Sequence, residues 1–255
     1  MITAGIDVGL ENTKAVILKD GKVAGKASGV SGGAGRPAAI QAIYDKALKE
    51  AGVSASDVAK VIATGKGKFD VAFAADQLTE ALTASKAARL VNADVTTAID
   101  IGADEIVVTT LDGDKIKEFV INQKCGAGLG LLLEKIADRF DMTIEDIAAL
   151  NGPSSVTVNE GCIVCMDLDA LSLANQGKDL KEIGKALNVA CAWRANATLN
   201  DIYKPDNKCV VLMGGMVKNG AFVKALEEIS GIKFVKHPDP EFAGAIGAAA
   251  LAAAS

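Results

Sequence analysis

The sequence predicts an α/β protein whose two lobes face each other across a cleft. The main observation is a pattern that occurs twice: an apolar strand ending in Asp-x-Gly, a second strand and an Asp-Gly turn. The aspartates of the two copies, Asp7 and Asp100, are 93 residues apart, and the turns at Gly21 and Gly113 are 92 residues apart. We therefore expect two similar lobes, each presenting a carboxylate and a flexible glycine at the end of a strand.

Composition and charge narrow the class of protein. The chain of 255 residues is 50% hydrophobic but only 4% aromatic, so its core must be built from alanine, valine, isoleucine and leucine. A net charge of −5, with acidic and basic residues mixed, argues against nucleic acid as a partner. The sequence opens on a strand pattern and has no apolar run of membrane-spanning length, so we expect a cytoplasmic protein with no membrane partner.

The first third of the chain alternates between strand and helix patterns. Strands are predicted at residues 2–8, 14–19, 22–27 and 59–64. Helices are predicted over residues 37–50, where Pro37 suits the first turn, and over residues 73–91. Between the last of these strands and the second helix, the segment Gly65-Lys66-Gly67 is either a phosphate-binding or lobe-interface loop or an ordinary solvated loop.

The second copy of the pattern begins a new lobe near residue 95. The elements predicted after its hairpin are helices over residues 131–140 and 142–150, a strand over 209–213, a helix over 221–230 and an alanine-rich helix over 243–254. The glycine pair after the strand, Gly214 and Gly215, leaves room for a base or ribose against the backbone. We expect residues 1–94 to form the first lobe, completed by the C-terminal helix within 241–255, and residues 95–240 to form the second.

The five cysteines are expected to be reduced and to differ in role. Cys191 and Cys209 lie in apolar segments and are predicted to be core residues. Cys125 lies in a glycine-rich turn before a helix, where free backbone N–H groups favour a thiolate. Cys162 and Cys165 form a Cys-x-x-Cys pair, and from the residues alone an iron–sulfur cluster, a zinc site and a redox dithiol all remain open.

The order of these motifs resembles a known superfamily. Two Asp-x-Gly hairpins, a late Gly-Gly corner and a closing helix of small residues are similar to the actin/hexokinase/heat-shock-chaperone ATPases, which have duplicated ribonuclease-H-like lobes. The segments 124–130 and 161–164 further resemble two motifs of the BadF/BadG/BcrA/BcrD ATPases, and this resemblance covers essentially the whole chain. That family includes activators of 2-hydroxyacyl-CoA dehydratases and ATPase subunits of benzoyl-CoA reductases. The beginning of the chain (residues 2–9) and its end (residues 237–247) are most similar to the benzoyl-CoA reductase type.

The resemblance implies an ATPase that delivers a low-potential electron to a CoA-ester reductase or dehydratase, with ferredoxin or flavodoxin as the electron donor. It implies ATP or ADP with Mg²⁺ between the lobes. It also implies a [4Fe–4S] cluster shared between two subunits, either of a homodimer or of a heterodimer with a homologous ATPase subunit. Mapped by motif, Asp7 and Asp100 are the expected catalytic residues, and Cys125 and Cys162 are the expected cluster ligands. The expected nucleotide-binding residues are Gly9, Thr13, Lys14, Gly102, Ala103, Gly214 and Gly215.

The sequence departs from the family patterns in three places. Leu10 and Glu11 stand where hydroxyl residues often follow the first glycine, and residues 103–105 read Ala-Asp-Glu where Gly-Gln-Asp is frequent. These two changes bear on the rate of hydrolysis more than on the fold. The third departure is Cys165, which competes with Cys162 as a ligand. The alternatives on the same fold are a cluster-free small-molecule kinase and an actin-like nucleotide-switch protein.

Overall fold

The computed structural model describes residues 1–122, 128–204 and 209–254, which are organised by two five-stranded sheets. The strands of the first sheet are β1 (Ile2–Val8), β2 (Asn12–Lys19), β3 (Lys22–Val30), β4 (Lys60–Thr64) and β5 (Asp76–Gln77). Those of the second sheet are β6 (Thr97–Ile101), β7 (Ile106–Asp112), β8 (Lys115–Ile121), β9 (Val210–Met213) and β10 (Val235–Lys236). The spatial orders β3-β2-β1-β4-β5 and β8-β7-β6-β9-β10 are equivalent, with three antiparallel strands followed by two parallel ones. The duplicated sequence pattern is thus part of a duplicated sheet topology.

The helices begin and end close to the residues that capping chemistry indicates. In the described part of the chain they are α1 (Arg36–Ala51), α2 (Glu80–Val91), α3 (Leu129–Arg139), α4 (Ile144–Ala149), α5 (Ile163–Asn175), α6 (Leu180–Asn200), α7 (Gly220–Ser230) and α8 (Ala243–Ala254). Helix α1 has Pro37 in its first turn and ends at Gly52 in the left-handed conformation. Helix α4 begins at a capping box formed by Thr143 and Asp146. Within these residues, no helix is both long and apolar enough to cross a membrane.

The helix predicted over residues 73–91 is wrong for its first seven residues. Asp76 and Gln77 instead form β5, which pairs in parallel with β4 at Ile62 and Ala63. Backbone hydrogen bonds to the edge of the first sheet outweigh the weak helical preference of this segment. Because α2 begins only at Glu80, the carboxylate of Glu80 lies in the first turn of the helix.

Two helices, α2 and α8, lie between the sheets: the C-terminal α8 packs on the first sheet, and α2, which precedes β6, packs on the second. Helix α8 packs against β1, β2 and β4, whereas α2 packs against β6, β7 and β9, and the two helices also contact each other. Gly5 on β1 and Gly247 on α8 permit these contacts, since a Cβ on either would clash with backbone atoms of the neighbouring element. The lobe boundaries at residues 94 and 240 stay a prediction. The contact between α2 and α8 links the first sheet directly to the second.

Each sheet has its own apolar core, and the cysteines predicted to be core residues pack in or beside that of the second sheet. Cys191 on α6 is fully buried, and burial raises the pKa of its thiol to about 12. Cys209, directly before β9, is partly buried and packs against the cluster under α2. The prediction is confirmed for Cys191, whereas Cys209 lies just outside β9 and is only partly buried beside the core.

Replacement of Gly247 by alanine should loosen the packing of α8 on α2. The added methyl group would meet the carbonyl oxygen of Thr83, and overpacking of this kind typically costs about 1–3 kcal/mol. Urea unfolding of Gly247→Ala should show the loss. The matched control is Gly220→Ala in the first turn of α7, where the new Cβ would meet only the carbonyl oxygen of Ala148, at 3.9 Å. Equal stability of the two variants would contradict the prediction.

Candidate functional site

Asp7 and Asp100 lie near the ends of the equivalent central strands β1 and β6 and line the same cleft between the two sheets. Asp7 pairs with Lys14 on β2, and Asp100 pairs with Val107 on β7. The first hairpin therefore supplies a cation beside its carboxylate, whereas the second supplies an apolar side chain at the same position. The two carboxylates that the repeated pattern singled out thus line one cleft together with Lys14, which lowers the pKa of each.

A glycine with positive φ packs behind each carboxylate. Gly65 (φ +85°) follows β4 and Gly214 (φ +93°) follows β9. A Cβ at Gly65 would lie 2.6 Å from Oδ1 of Asp7, and a Cβ at Gly214 would lie 2.5 Å from Oδ1 of Asp100. Both positions require glycine for backbone conformation and for space. The sequence analysis singled out Gly214 but not Gly65 as a site residue, although both follow a parallel strand that pairs with the aspartate-bearing strand.

The turns after the two aspartates have the same hydrogen bond. The N–H of Gly9 donates to the carbonyl oxygen of Asn12 (3.1 Å), and the N–H of Gly102 donates to that of Glu105 (2.9 Å). In the second turn, the carbonyl oxygen of Ala103 accepts from the N–H of Leu131 in the first turn of α3 (3.1 Å). A Cβ on Gly128 or Gly130 would clash with the backbone of Ala103, so these glycines let α3 begin directly against the second turn. The second turn and the start of α3 are therefore in direct contact.

Burial and, to a smaller extent, neighbouring carboxylates raise the pKa values of Asp7 and Asp100 in the cleft. Burial, together with the nearby Asp7 and Glu80, raises the pKa of Asp100 to about 7 against the opposing effect of Lys14. Burial also raises the pKa of Asp7, with Lys14 lowering and Glu80 raising it. Because buried like charges are unfavourable, such an arrangement favours a proton or a cation in the cleft.

Glu80 is a candidate site residue that the sequence analysis missed. It lines the cleft from the first turn of α2, and its carboxylate lies 3.8 Å from Nζ of Lys68. The predicted helix began at residue 73, which placed Glu80 in its interior. In the structure α2 begins at Glu80, so this carboxylate lies at the N-terminus of the helix. The signal in the sequence was an acidic residue just before an alanine-rich helix and 20 residues before Asp100.

Lys66 joins the two lobes across the mouth of the cleft. Its Nζ lies 2.7 Å from Oε1 of Glu105 and 3.4 Å from Oδ2 of Asp104, and all three residues line the cleft. The hydrogen bond with Glu105 is the main reason that the pKa of Lys66 is raised. Of the roles left open for the loop at residues 65–67, the structure supports a contact between the lobes.

Replacement of Lys66 by methionine should let the cleft open more readily and release nucleotide faster. Because Lys66 is half-exposed, solvent screening limits the ion pair to roughly 0.5–1 kcal/mol, which corresponds to about a two- to fivefold faster release. Stopped-flow release of a fluorescent ADP analogue measures this rate, and high salt should bring the unmodified protein towards the variant. The control Lys233→Met removes an ion pair of 2.8 Å that Lys233 forms with Glu227, a residue on α7. Identical release rates for both variants would refute the role of Lys66.

The cleft continues into a second cavity of about 380 Å³, a size typical of small-ligand pockets. Lys14 and Ala103 line both spaces, and Gly215 lines the second, as expected for a residue beside a nucleoside. Glu134 on α3 also lines it, and burial raises the pKa of Glu134, with Glu11 raising and Lys14 lowering it. The arrangement can hold an extended ligand whose anionic end lies near Lys14 and whose other end lies near Gly215.

Thr13 does not take part in this lining. Its side chain is buried and its hydroxyl is hydrogen-bonded to Oγ of Ser31 (3.0 Å), which in turn donates to the carbonyl oxygen of Gly9 (2.7 Å). Because neighbouring residues of a strand point to opposite faces, Lys14 faces the cleft and Thr13 faces away from it. The geometry gives Thr13 a role in holding the first turn, and its direct contact with nucleotide stays a prediction.

The cysteine motifs lie after the second Asp-x-Gly hairpin, and Cys125 falls outside the described residues. Cys162 is the N-cap residue of α5, and its N–H and that of Gly161 both donate to Oδ1 of Asn159 (2.8 and 2.9 Å). Cys165 is exposed in the first turn of the same helix. Among the described residues, no three His, Cys, Asp or Glu side chains converge as a metal site. An ordered loop that presents a cysteine at a helix N-terminus fits a thiolate ligand.

Comparison with known proteins gives matches over nearly the full chain. A model of the BadF/BadG/BcrA/BcrD ATPase family matches residues 4–252. The activator of lactoyl-CoA dehydratase from Anaerotignum propionicum is 34% identical, covering 99% of this chain and 97% of that protein. The (R)-2-hydroxyglutaryl-CoA dehydratase activating ATPase of Acidaminococcus fermentans is 31% identical, with coverage of 98% and 96%. A benzoyl-CoA reductase subunit of Thauera aromatica is 28% identical, with coverage of 81% and 75%.

Solved structures confirm the predicted fold. Component A of the (R)-2-hydroxyglutaryl-CoA dehydratase of Acidaminococcus fermentans has a TM-score of 0.89 at 29% identity, covering 99% of this chain and 97% of that one. The activator of the 2-hydroxyisocaproyl-CoA dehydratase from Clostridium difficile, solved with bound ADPNP, has a TM-score of 0.89 at 26% identity, with coverage of 99% and 94%. A ROK family glucokinase from Streptomyces griseus shares the fold, with a TM-score of 0.64 at 16% identity and full coverage of both chains. The chain therefore has the two-lobed actin/hexokinase-type architecture.

Proposed function

Since this chain belongs to the BadF/BadG/BcrA/BcrD ATPase family, we propose that it is an ATP-hydrolysing activator of a 2-hydroxyacyl-CoA dehydratase. Membership of this family makes it a nucleotide-binding protein of the ATPase type. The observation that carries the proposal is the convergence of Asp7 and Asp100 on one cleft that runs on to Gly215. Relatives that activate dehydratases match it over 98–99% of its length.

This choice corrects the preference for the benzoyl-CoA reductase type. Two dehydratase activators are 34% and 31% identical over nearly the full chain and a third is 26% identical over 99% of it, whereas the benzoyl-CoA reductase subunit is 28% identical over only 81%. The preference rested on the two ends of the chain, and the C-terminal end serves packing. His237 is buried and its Nδ1 accepts from the N–H of Asp239, while Gly247 fits α8 against α2. Residues that serve the shared fold do not distinguish between types within one family.

In the proposed mechanism, the phosphates of ATP lie between the turns at Gly9 and Gly102, with Lys14 beside them. A bound Mg²⁺ would offset phosphate charge, and it commonly keeps several waters when it is held by one or two carboxylates. Asp7 and Asp100 would orient the attacking water, and Asp100, whose pKa is raised by burial, is the proposed acceptor of its proton. Glu80 adds a third carboxylate from the other side of the cleft.

We further propose that Cys125 and Cys162 from each of two subunits hold one [4Fe–4S] cluster. Such a cluster takes four thiolates, and a two-fold dimer supplies four from two per chain. When bound, the cluster would supply a site that stores one electron at low potential. The structural support within one chain is the ordered presentation of Cys162 at the start of α5. The electron donor is proposed to be a ferredoxin or flavodoxin, and the acceptor the dehydratase component.

Nucleotide and cluster are proposed to be coupled through α3. The first turn of this helix hydrogen-bonds to Ala103 in the second phosphate turn, and the helix begins at Leu129, four residues after Cys125 in the sequence. ATP can shift this contact only by binding one arrangement of the lobes more tightly than the other. Closure of the cleft would then move the start of α3 and change the environment of the cluster, which sets its potential.

Mg-ATP should therefore change the EPR signal of the reduced cluster and the rate at which a chelator removes its iron. Anaerobically purified protein with no nucleotide, with ADP and with ATP gives the comparison, and iron and sulfide analysis of the same sample tests for the cluster itself. Iron-free protein should still bind nucleotide, since the cleft is built from other residues. Identical spectra and identical chelation rates in all three states would overturn the coupling. Absence of iron would overturn the proposed electron transfer and favour a kinase or a nucleotide switch.

A further inference from the structure

Arg194, on α6, is a buried cation with incomplete hydrogen bonding. Only 5% of the surface of Arg194 is exposed to solvent. Its Nη1 donates a hydrogen bond to the carbonyl oxygen of Gly161 (2.6 Å). Its Nε and Nη2 are buried and have no hydrogen-bond partner among the described residues. A buried charged group with unsatisfied N–H groups is costly unless a negatively charged group lies near it.

Arg194 lies beside a cavity that is lined by residues from two segments, each of which precedes a predicted cluster ligand in the sequence. This cavity of about 390 Å³ is lined by Asn122, three residues before Cys125 in the sequence, and by Gly161, directly before Cys162. Two carboxylates also line it, those of Glu160 and Asp201, but in the described residues neither forms an ion pair with Arg194. The guanidinium group therefore has no ion-pair partner among the described residues.

The peptide group before Cys162 is held from both sides. Its carbonyl oxygen, that of Gly161, accepts from Arg194, and its N–H, that of Cys162, donates to Oδ1 of Asn159 (2.8 Å). The N–H of Asn159 donates in turn to Oδ2 of Asp169 on α5, also at 2.8 Å. The side chains of Arg194 and Asn159 thus fix the orientation of this peptide plane. Because the plane ends at the Cα atom of Cys162, they also restrict the direction of the Cys162 side chain.

We propose that Arg194 is a positioning residue for Cys162 that also balances the negative charge of the cluster. The proposal rests on the proposed function, because the balancing charge is that of the thiolates and their iron. The hydrogen bond to Gly161 holds the ligand loop, and the remaining N–H groups provide positive charge close to Cys162. Because adding an electron makes the cluster more negative, a nearby fixed cation favours the reduced form and raises the reduction potential.

The test compares Arg194→Met, which removes both the hydrogen bond and the charge, with Arg194→Lys, which keeps the charge. In Arg194→Met, chelation of iron should be about tenfold faster, as is typical when a supporting residue of a metal ligand is lost. Its reduction potential, measured by EPR-monitored titration, should become more negative, while that of Arg194→Lys should stay close to the unmodified value. Nucleotide affinity should be unchanged, since Arg194 does not line the cleft. The neighbouring replacement Trp193→Phe is the control for a change in the same cavity.

Wild-type chelation rates in both arginine variants would overturn the positioning role, and equal shifts of potential in both would overturn the charge balance. If Arg194→Met does not fold, Arg194→Gln, which is neutral but can still donate to Gly161, replaces it in the comparison of potentials. A measurement on iron-free protein tests the positioning role independently of the proposed function. In iron-free protein, amide hydrogen exchange over residues 159–163 should be faster in Arg194→Met than in the unmodified chain. Unchanged exchange would refute the positioning role whether or not the unmodified protein carries iron.

Discussion

Replacement of Asp100 by asparagine is expected to lower the rate of ATP hydrolysis by about 100-fold or more. The asparagine side chain has nearly the same shape but cannot accept a proton from water or bear the charge that orients metal-bound water. Steady-state phosphate release at saturating Mg-ATP measures the effect, and Asp7→Asn is the matched variant from the first lobe. An unchanged turnover in Asp100→Asn would remove this residue from the catalytic site.

The same substitution should make the nucleotide-free protein more stable at neutral and alkaline pH. In the folded protein the pKa of Asp100 is raised to about 7, above the value of about 3.9 for an unfolded chain, so the folded state holds a proton that the unfolded state has lost. The stability linked to this proton is fully present below about pH 4 and is lost as the pH rises through about 7. Urea unfolding at pH 5.5 and pH 8 should therefore show a smaller pH dependence in Asp100→Asn. A destabilised variant would mean that its lost activity reflects unfolding rather than chemistry.

Replacement of Cys162 by alanine is expected to remove most of the bound iron from anaerobically purified protein. The change removes one ligand per subunit, and two of four from a cluster shared across a two-fold axis. Iron and sulfide analysis together with the visible spectrum measure the loss. Cys125→Ala is expected to behave in the same way.

Three other cysteines provide the controls for this experiment. Cys191→Ala and Cys209→Ala should keep their iron, because Cys191 is fully buried with a thiol pKa of about 12 and Cys209 packs beside an apolar cluster. Cys165→Ala should also keep it, since the hydrogen bonds of the ligand loop are made by the N–H groups of Gly161 and Cys162. If Cys165→Ala loses iron while Cys162→Ala retains it, the assignment of the ligand is wrong.

The repeated Asp-x-Gly pattern was sufficient to predict two lobes with Asp7 and Asp100 in the cleft between them. The reason is that strands and tight turns depend on residues close together in the sequence. Residue alternation and the Asp-Gly turns define each hairpin, and the strand ends then place both carboxylates. The start of α2 was missed for the opposite reason. Whether residues 76–77 form helix or strand depends on an open sheet edge beside β4, which no local pattern reveals.

By itself, the sequence determined the class of fold, the two catalytic candidates and the glycine pair after β9. Each of these depends on residues that are near one another in the chain. Only the tertiary structure brought Glu80 into the cleft, placed Lys66 against Glu105 and set Arg194 behind the loop of Cys162. The partners in these contacts are separated by 20 to 39 residues, counting Glu80 against Asp100, Lys66 against Glu105 and Arg194 against Gly161. Their meeting depends on how sheets and helices pack, which the local sequence pattern does not specify.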